Sequence, residues 1–372
     1  MEGMGKVISK KNQKHKKPDP TFWSKKKVLV TGHTGFKGSW LTIWLLEMGA
    51  EVFGISLEPT TMPNLFEEAE LSNKIKSYIF DIRDRKNFEK VIKKIQPDIV
   101  FHMAAQPLVI DGYINPICTW ETNLIGTINL LNLLRKVPNK CACICVTTDK
   151  VYRNSENKSY SEDDSLGGFD PYSWSKAACE LAIESFRSSF CGNLNYQKDN
   201  LFIASVRSGN VIGGGDWSKN RIIPDIIRSI VSDNKILIRS PYSIRPWQHV
   251  LDPLSGYLIL AEKLFIEGNS YSTSYNFGPK SLQSNKKVLD ILKKTSSYWK
   301  LSWGILPKSE KRFHESSFLS LNISKAQKHL NWDPKWEFEK TLEITLDWYK
   351  NYYNDKNSSY KYCLSDLENY LK

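Results

Sequence analysis

KVLVTGHTGFKGSW, residues 27–40, joins a short apolar run (Val28, Leu29, Val30) to three glycines spaced by two residues (Gly32, Gly35, Gly38). An apolar helical pattern follows at once, through Trp40, Leu41, Ile43, Trp44 and Leu45. The order is strand, tight turn, helix N-terminus. Gly32 permits the sharp exit from the strand, Gly35 lets a pyrophosphate approach the backbone, and Gly38 lets the helix pack closely on the strand. The unpaired N–H groups of the first helical turn then face an anion. Glycine triplets also occur in ordinary turns, but the strand before and the helix after select dinucleotide binding, with Thr34 and Phe36 inside the same turn.

Outward from that turn the chain alternates. A helix over about residues 38–48 ends near Gly49, and 51–57 forms a second strand. In dinucleotide-binding sheets this strand usually ends in a carboxylate that takes the ribose hydroxyls. Here Ser56 ends it and Glu58 lies two residues on. No arginine follows to receive a 2′-phosphate, which favours NAD over NADP. Residues 78–82 form a third strand closed by Asp81 and Ile82; Asp81 reads either as a contact to the adenine amine or as the N-cap of the next helix, 87–95. Residues 98–105 form a fourth strand ending in Ala104 and Ala105, with Gln106 next. An apolar helix from Asn123 to 134, a fifth strand at 142–146 and a sixth at 204–206 continue the pattern. This alternation predicts an α/β fold, a Rossmann-type doubly wound parallel sheet. Ligands of such sheets sit beyond the C-terminal strand ends, so the glycine turn, Ser56, Asp81, residues 104–106 and residues 147–150 should meet at one edge.

The 372 residues suffice for one large or two closely joined domains, and no internal repeat is present. No apolar run approaches the roughly 20 residues of a membrane span, and no secretory h-region precedes the first strand, so a cytoplasmic protein without membrane contact is expected. Part of the net charge of +12 is local: MEGMGKVISKKNQKHKKPDP carries lysines without interleaved aromatics or an amphipathic face. Residues 1–21 therefore read as a solvated, disordered tail rather than a nucleic-acid or membrane contact. Cys141, Cys143 and Cys145 alternate along one strand and face one side. Lacking a matching Cys/His set, they read as buried thiols; neither a metal site nor disulfides are expected.

Thr147, Thr148, Asp149 and Lys150 leave the fifth strand, and DPYSWSK (170–176) opens a long helix. Tyr172 and Lys176, four apart, share one helix face. An ammonium beside the phenol is expected to lower its pKa from about 10 towards neutrality. Such a phenolate can take a proton from a sugar hydroxyl. The pair alone could be an exposed helix pair; the glycine turn and five alternating strands before it favour the chemical reading.

On these residues the chain resembles the extended short-chain dehydrogenase/reductase superfamily, and more narrowly the CDP-glucose 4,6-dehydratase family. The stretches that carry the resemblance are VTGHTGFKGSWL, FHMAAQPLV, TTDKVY, DPYSWSKAACE, RSGNVIGGGDW, IPDIIRS, SPYSIRPWQHVLDPLSGY and YNFGP. They cover about residues 21–350. The resemblance implies an NAD-binding domain over 22–190 with a strand return near 201–215 and a smaller, mainly nucleotide-sugar-binding α/β domain over 216–350; residues 351–372, with NYYNDKNSSYKY, read as a polar extension. It implies NAD as cofactor, CDP-glucose as substrate and a homodimer or homotetramer. Tyr172, with Lys176, would deprotonate the 4′-hydroxyl while hydride passes to NAD. Loss of the C5′ proton and the 6′-hydroxyl would follow, and hydride return to C6′ would give the 4-keto-6-deoxy sugar.

By the same resemblance, Thr148, Asp149 and Lys150 supply the elimination: Asp149 as an acid that must carry a proton when it acts, Lys150 as a base that must be neutral. A strand-end ion pair is the competing reading. Cofactor contacts are implied for Gly32, Thr34, Gly35, Phe36, Gly38, Ser56, Asp81, Ile82, Ala104, Ala105, Gln106, Asn123, Thr147, Tyr172 and Lys176. Substrate contacts are implied for Gln106, Asn210, Arg221, Arg239, Arg245 and His314; a guanidinium fork suits a diphosphate, any one of the arginines could instead face the surface, and Arg245 is the first choice by family position. The chain departs from the family where Ile110 and Gly112 stand in place of an arginine and a serine, and where Arg153 replaces an acidic residue. An epimerase on the same scaffold needs no acid–base pair after the fifth strand, so Asp149-Lys150 argues against it. A GDP- or dTDP-hexose dehydratase keeps the same frame. A non-catalytic NAD-binding regulator typically lacks Tyr or Lys of the YxxxK pair.

Overall fold

The computed structural model describes residues 16–153, 158–191, 200–280, 285–307 and 318–372. Apolar and β-branched runs form β1 (Lys27–Thr31), β2 (Glu51–Ser56), β3 (Lys76–Ile79), β4 (Ile99–His102), β5 (Cys141–Val146), β6 (Leu201–Ser208) and β7 (Val211–Ile212). Shorter strands follow: β8 (Ile236–Ile238), β9 (Ile244–Pro246), β10 (Gln248–His249), β11 (Ser274–Phe277), β12 (Asn285–Lys287) and β13 (Trp303–Ile305). Seven of them pair in the order β11-β6-β5-β4-β1-β2-β3, all parallel. The chain runs outward from β1 to β3, then crosses back to place β4 on the other side of β1. That reversal opens a crevice beyond the C-terminal ends of β1 and β4, where ligands of such sheets bind. The doubly wound parallel sheet expected from the alternation is the one observed.

The helices are α1 (Pro20–Trp23), α2 (Phe36–Glu47), α3 (Leu65–Glu68), α4 (Arg85–Ile95), α5 (Val109–Ile114), α6 (Pro116–Trp120) and α7 (Gly126–Leu134). They continue with α8 (Pro171–Phe190), α9 (Ile222–Val231), α10 (Leu251–Glu267), α11 (Val288–Tyr298), α12 (Ser324–Leu330), α13 (Phe338–Asn354) and α14 (Ser359–Leu371). Strand side chains alternate between two cores because successive Cβ atoms point to opposite faces. Val28, Val30, Ile99, Phe101, Ala142 and Ile144 enter one core. Leu29, Val100, Cys141, Cys143 and Cys145 enter the other, with the three thiols buried and free of disulfides and the Cys143 and Cys145 thiols 3.7 Å apart. Among the described residues, no helix is long and apolar enough to cross a membrane, and no group of three potential metal ligands is found.

Residues 1–15 of the expected tail lie outside the described residues, and Lys16 to Thr21 are held against the body rather than solvated. Asp19 caps α1, its N–H donates to Glu262 at 2.7 Å, and the fully buried Trp23 donates its indole N–H to the same carboxylate at 2.9 Å. Lys16 pairs with that carboxylate as well, at 3.4 Å. A buried acceptor that needs partners therefore holds the segment down. The C-terminal extension is also structural. Cys363, Leu367 and Tyr370 of α14 are buried, and the Tyr370 ring packs edge-on to Trp44 of α2 at 5.7 Å. This cover explains why α2 is apolar on most of its surface. Within 216–350 the chain crosses back to the sheet, where β11 at Ser274–Phe277 pairs with β6.

Asp252 of α10 sits under this cover, fully buried, accepting from Tyr370 Oη at 2.9 Å and Lys335 N–H at 2.7 Å on one oxygen. Burial pushes its pKa up to about 7, against hydrogen bonds that lower it. The folded chain therefore holds a proton that the unfolded chain has released between about pH 4 and pH 7, so stability falls as pH rises through that window, by about 1.4 kcal/mol per pH unit at most. Denaturant midpoints for Asp252→Asn should lose that slope relative to the parent. Asp366, pushed up to about 8 by burial, contributes in the same direction and remains in the variant.

Candidate active site

The glycine turn places its groups by exclusion. Gly32 has φ +77°, and a Cβ there would lie 2.8 Å from Ala104 N. A Cβ on Gly38 would lie 2.1 Å from Gly32 O, so α2 can rest on the exit of β1 only because residue 38 has no side chain. Gly35 is the N-cap of α2, and the nearest foreign atom to a Cβ built on it is Gly32 O at 3.4 Å; this face of the turn opens to the crevice. Thr34 Oγ1 donates to Leu57 O at 2.9 Å and lies 2.8 Å from Ser56 Oγ, which ties the end of β2 to the turn. In place of the usual carboxylate, a hydroxyl pair closes this strand end.

The crevice is a cavity of about 920 Å³. One end is lined by Gly32, Thr34, Gly35, Phe36, Gly38 and Ser56, with Asp81, Ile82, Ala104 and Ala105 beside them. Asp81 lies two residues beyond β3. It is not the N-cap of α4, which is Asp84 through a 3.1 Å bond to Asn87 N–H. Its carboxylate is instead forked by Arg83 at 2.8 and 3.1 Å, which holds it below its ordinary pKa. Two expected contacts do not face the cavity. Gln106 donates from its amide to Thr119 at 2.8 Å and accepts from Leu108 N–H, while Asn123 bonds Gln106 N–H and Ser175. Their amides are spent on holding the wall behind β4. His314 lies outside the described residues.

At the centre stand Thr147, Thr148, Asp149 and Lys150, with Tyr172 and Lys176 from the first turns of α8. Asp170 caps that helix through Ser173 N–H at 3.0 Å, so the position of both side chains follows from the DPYS start. The Thr148 hydroxyl adjoins the Tyr172 phenol and draws its pKa down. Thr148 Oγ1 donates to Asp149 Oδ1 at 3.1 Å, and Lys150 Nζ reaches the same oxygen at 3.1 Å. Asp149 is 1% exposed, and its second oxygen is buried without a partner among the described residues. The strand-end ion pair and the row of reactive groups are thus one arrangement.

Burial pushes Tyr172 up to about 12; the Thr148 hydroxyl opposes this, and the Asp149 charge adds to it. Lys176 donates to Val146 O at 3.1 Å, and burial lowers its own pKa. The groups that draw the phenol down are Thr148 and Arg221 rather than the expected Lys176, and desolvation outweighs them. Beneath the row, Thr147 Oγ1 donates to Glu180, which also takes Ser205 at 2.7 Å and pairs with buried Arg207 at 2.9 Å. This braces the exit of β5 against α8 and β6.

The far end is lined by Asn210, Arg221, Arg239 and Arg245. Arg245 is 8% exposed and donates to Ile244 O at 2.9 Å. Sequence reasoning passed over Lys37, inside the glycine turn. It lines the cavity, donates to Ser208 Oγ at 3.2 Å, and is lowered to about 7 by burial and by Arg221 and Lys176. Only its place in the motif could have marked it. Ile110 and Arg153 line the cavity as well, and a Cβ on Gly112 would lie 3.1 Å from Tyr172 N, so all three departures fall at the site.

The family model for GDP-mannose 4,6 dehydratase matches residues 29–345. The chain is 47% identical over 333 residues to a CDP-glucose 4,6-dehydratase of Salmonella typhimurium, covering 89% of this chain and 92% of that protein. Among solved structures it resembles a UDP-glucose-4-epimerase from Stenotrophomonas maltophila with bound NAD and formylated UDP-arabinopyranose, at TM-score 0.76, 19% identity, and 88% and 99% coverage of the two chains. It also resembles a dTDP-glucose 4,6-dehydratase from Bacillus anthracis in complex with NAD, at TM-score 0.70, 22% identity, and 87% and 96% coverage. At these identities the structural likeness is one of fold.

Proposed function

Because the chain belongs to the GDP-mannose 4,6 dehydratase family, we propose that it converts CDP-glucose to CDP-4-keto-6-deoxyglucose with NAD as a resident cofactor. The observation that carries the reading is the row Tyr172–Thr148–Asp149–Lys150 in one cavity wall. The open face at Gly35, the N-terminus of α2 and the Thr34–Ser56 pair fit a dinucleotide, with Asp81 and Ile82 on its adenosine side. When bound there, NAD supplies the store that takes and returns a hydride.

The chain's own residues move the protons. Tyr172 accepts the proton of the 4′-hydroxyl. Asp149 and Lys150 present the difficulty that mutual attraction favours both charged forms. A single proton passing from Lys150 Nζ to Asp149 Oδ1, across their 3.1 Å contact, turns both into the forms required. The amine then takes the C5′ proton and the carboxylic acid protonates the departing 6′-hydroxyl as water. As hydride returns to C6′, the Lys150 ammonium gives a proton back to C5′, and the proton that Tyr172 took from the 4′-hydroxyl, passed to the amine, restores the ammonium–carboxylate pair. A site closed from water favours the neutral pair relative to bulk solution.

Two consequences are measurable. Arg245→Ala should weaken CDP-glucose binding by about 10- to 100-fold, the size of one or two charge-assisted hydrogen bonds, as read by calorimetric Kd. The molecule should be a homodimer through α5, α6, the helical turn 121–125 and α8, where Ile114, Ile117, Ile125, Trp174 and Leu181 are 42–73% exposed. Leu181→Glu should shift the mass by light scattering from dimer to monomer. For the activity itself, purified protein is incubated with CDP-, dTDP- and GDP-glucose and GDP-mannose, and 4-keto-sugar formation is followed while NAD is assayed in the protein as isolated. Product from CDP-glucose alone supports the proposal; turnover confined to another nucleotide, or 4-epimerisation without dehydration, overturns it.

A further inference from the structure

Arg221 reaches the cavity from a turn whose support lies outside the cavity. Residues 213–221 leave β7 as a glycine-rich run and end at Arg221, the N-cap of α9. Asp216 is the point at which this run is held. It is buried, its Oδ1 accepts Ser218 N–H at 2.9 Å, and its Oδ2 lies 3.9 Å from Arg221 Nη1. A single phenol engages both polar groups of the Asp216 backbone. The Asp216 N–H donates to Tyr349 Oη at 3.0 Å, and that Oη–H donates to Asp216 O at 2.6 Å.

Tyr349 belongs to α13 and is fully buried. Burial pushes its pKa well up, so its hydroxyl stays protonated and available as a donor. The next residue of the turn, Trp217, packs against Trp348, Tyr349 and Tyr352, with ring centroids at 5.9, 5.9 and 5.0 Å. On the other side, Gly214 O accepts the Trp40 indole N–H of α2 at 2.9 Å, and a Cβ on Gly214 would fall 2.0 Å from Trp348. The turn is thus clamped between the helix that follows the dinucleotide turn and a helix from the far end of the chain.

We propose that Tyr349 is a positioning residue for the substrate diphosphate: it fixes the Asp216 peptide, Asp216 orients Arg221, and Arg221 meets the phosphates of the nucleotide-sugar. The proposal rests on the reading of Arg221 as a substrate contact. Nothing in α13 lines the cavity, so the effect must pass through the turn.

The test is a double-mutant cycle on the NAD-loaded protein with CDP-glucose. Tyr349→Phe keeps the ring against Trp217 and removes both hydrogen bonds. KM should rise by about tenfold with kcat changed less than about twofold, and NAD content and melting midpoint should stay near the parent's. Asp216→Asn, which keeps an acceptor for Ser218 but removes the charge facing Arg221, should raise KM similarly and serves as the second variant. In an Arg221→Ala background neither substitution should add a further effect. An unchanged KM in both variants overturns the proposal, as does a full further effect in the Arg221→Ala background, or a joint fall of kcat and NAD content. If Arg221→Ala itself leaves KM unchanged, the substrate reading of Arg221 fails, and the proposal with it.

Discussion

Tyr172→Phe is expected to lower formation of the 4-keto sugar by about 10³-fold while leaving the affinity for CDP-glucose within a few-fold of the parent. The phenol is the only acceptor in the row that α8 presents, and general-base catalysis contributes about 10²–10⁴. The ring itself stays, so packing at the start of α8 is preserved. Burial holds the phenol at about 12, so it is largely protonated near neutrality. The active phenolate fraction then rises with pH, and log kcat should climb between about pH 6 and pH 9. The residual activity of the phenylalanine variant should lack this rise. A parent profile that is flat over the same range would mean that another group accepts the 4′-proton. Thr148→Ala gives the graded companion: it removes the hydroxyl that draws the phenol down, and should move the rise to higher pH.

Lys150→Met should abolish dehydration with substrate binding intact. The ammonium at 3.1 Å is both the proton source for Asp149 and, once neutral, the base at C5′. Methionine keeps the aliphatic stem along the wall and removes both roles. The loss should be about 10²–10⁴-fold, visible in two separate measurements. Release of the 6′-hydroxyl, read as product, should vanish. Incorporation of solvent deuterium at C5′ should vanish with it. Asp149→Asn offers the contrast: it removes the acid for the leaving group and the acceptor of the Lys150 proton, but an ammonium freed of the neighbouring carboxylate loses its proton to solvent more readily, so C5′ exchange should fall far less than dehydration. Undiminished turnover in Lys150→Met would remove Lys150 from the chemistry. Loss of CDP-glucose binding there would instead place it with the arginines at the far end.

The difference between Lys176 and Tyr172 shows where sequence reasoning about a site stops. Four-residue spacing puts two side chains on one helix face, and that much holds. Whether a cation governs a phenol depends on what else surrounds both. Lys176 is engaged by Val146 O, and Tyr172 is enclosed by the cavity wall. The same limit explains Gln106 and Asn123. Their position after β4 and in the following helix was legible, but the partners that turn their amides away from the cavity, Thr119 and Ser175, lie 13 and 52 residues off in the chain. Lys37 went unread for the opposite reason. It sits in the most legible motif of the chain, but its partner Ser208 and the nearby charge of Arg221 are brought to it only by folding.

Local rules acting within KVLVTGHTGFKGSW were enough to determine strand, turn and helix, and with them the parallel sheet and its active edge. An apolar β-branched run makes a strand, and glycine is the residue type that admits φ +77° at position 32 and the backbone contact at position 38. The two thiol- and alkyl-lined cores follow from alternation along the strands in the same way. Tertiary structure alone decided the rest: that Lys16–Trp23 and α14 are parts of the body, that β11 closes the sheet, and that Arg221 is steadied from α13. These depend on contacts across hundreds of residues, in which a buried carboxylate, an indole or a phenol finds the partner that burial obliges it to have. Periodicity carries no trace of such pairings, because each becomes favourable only once both groups have already left water.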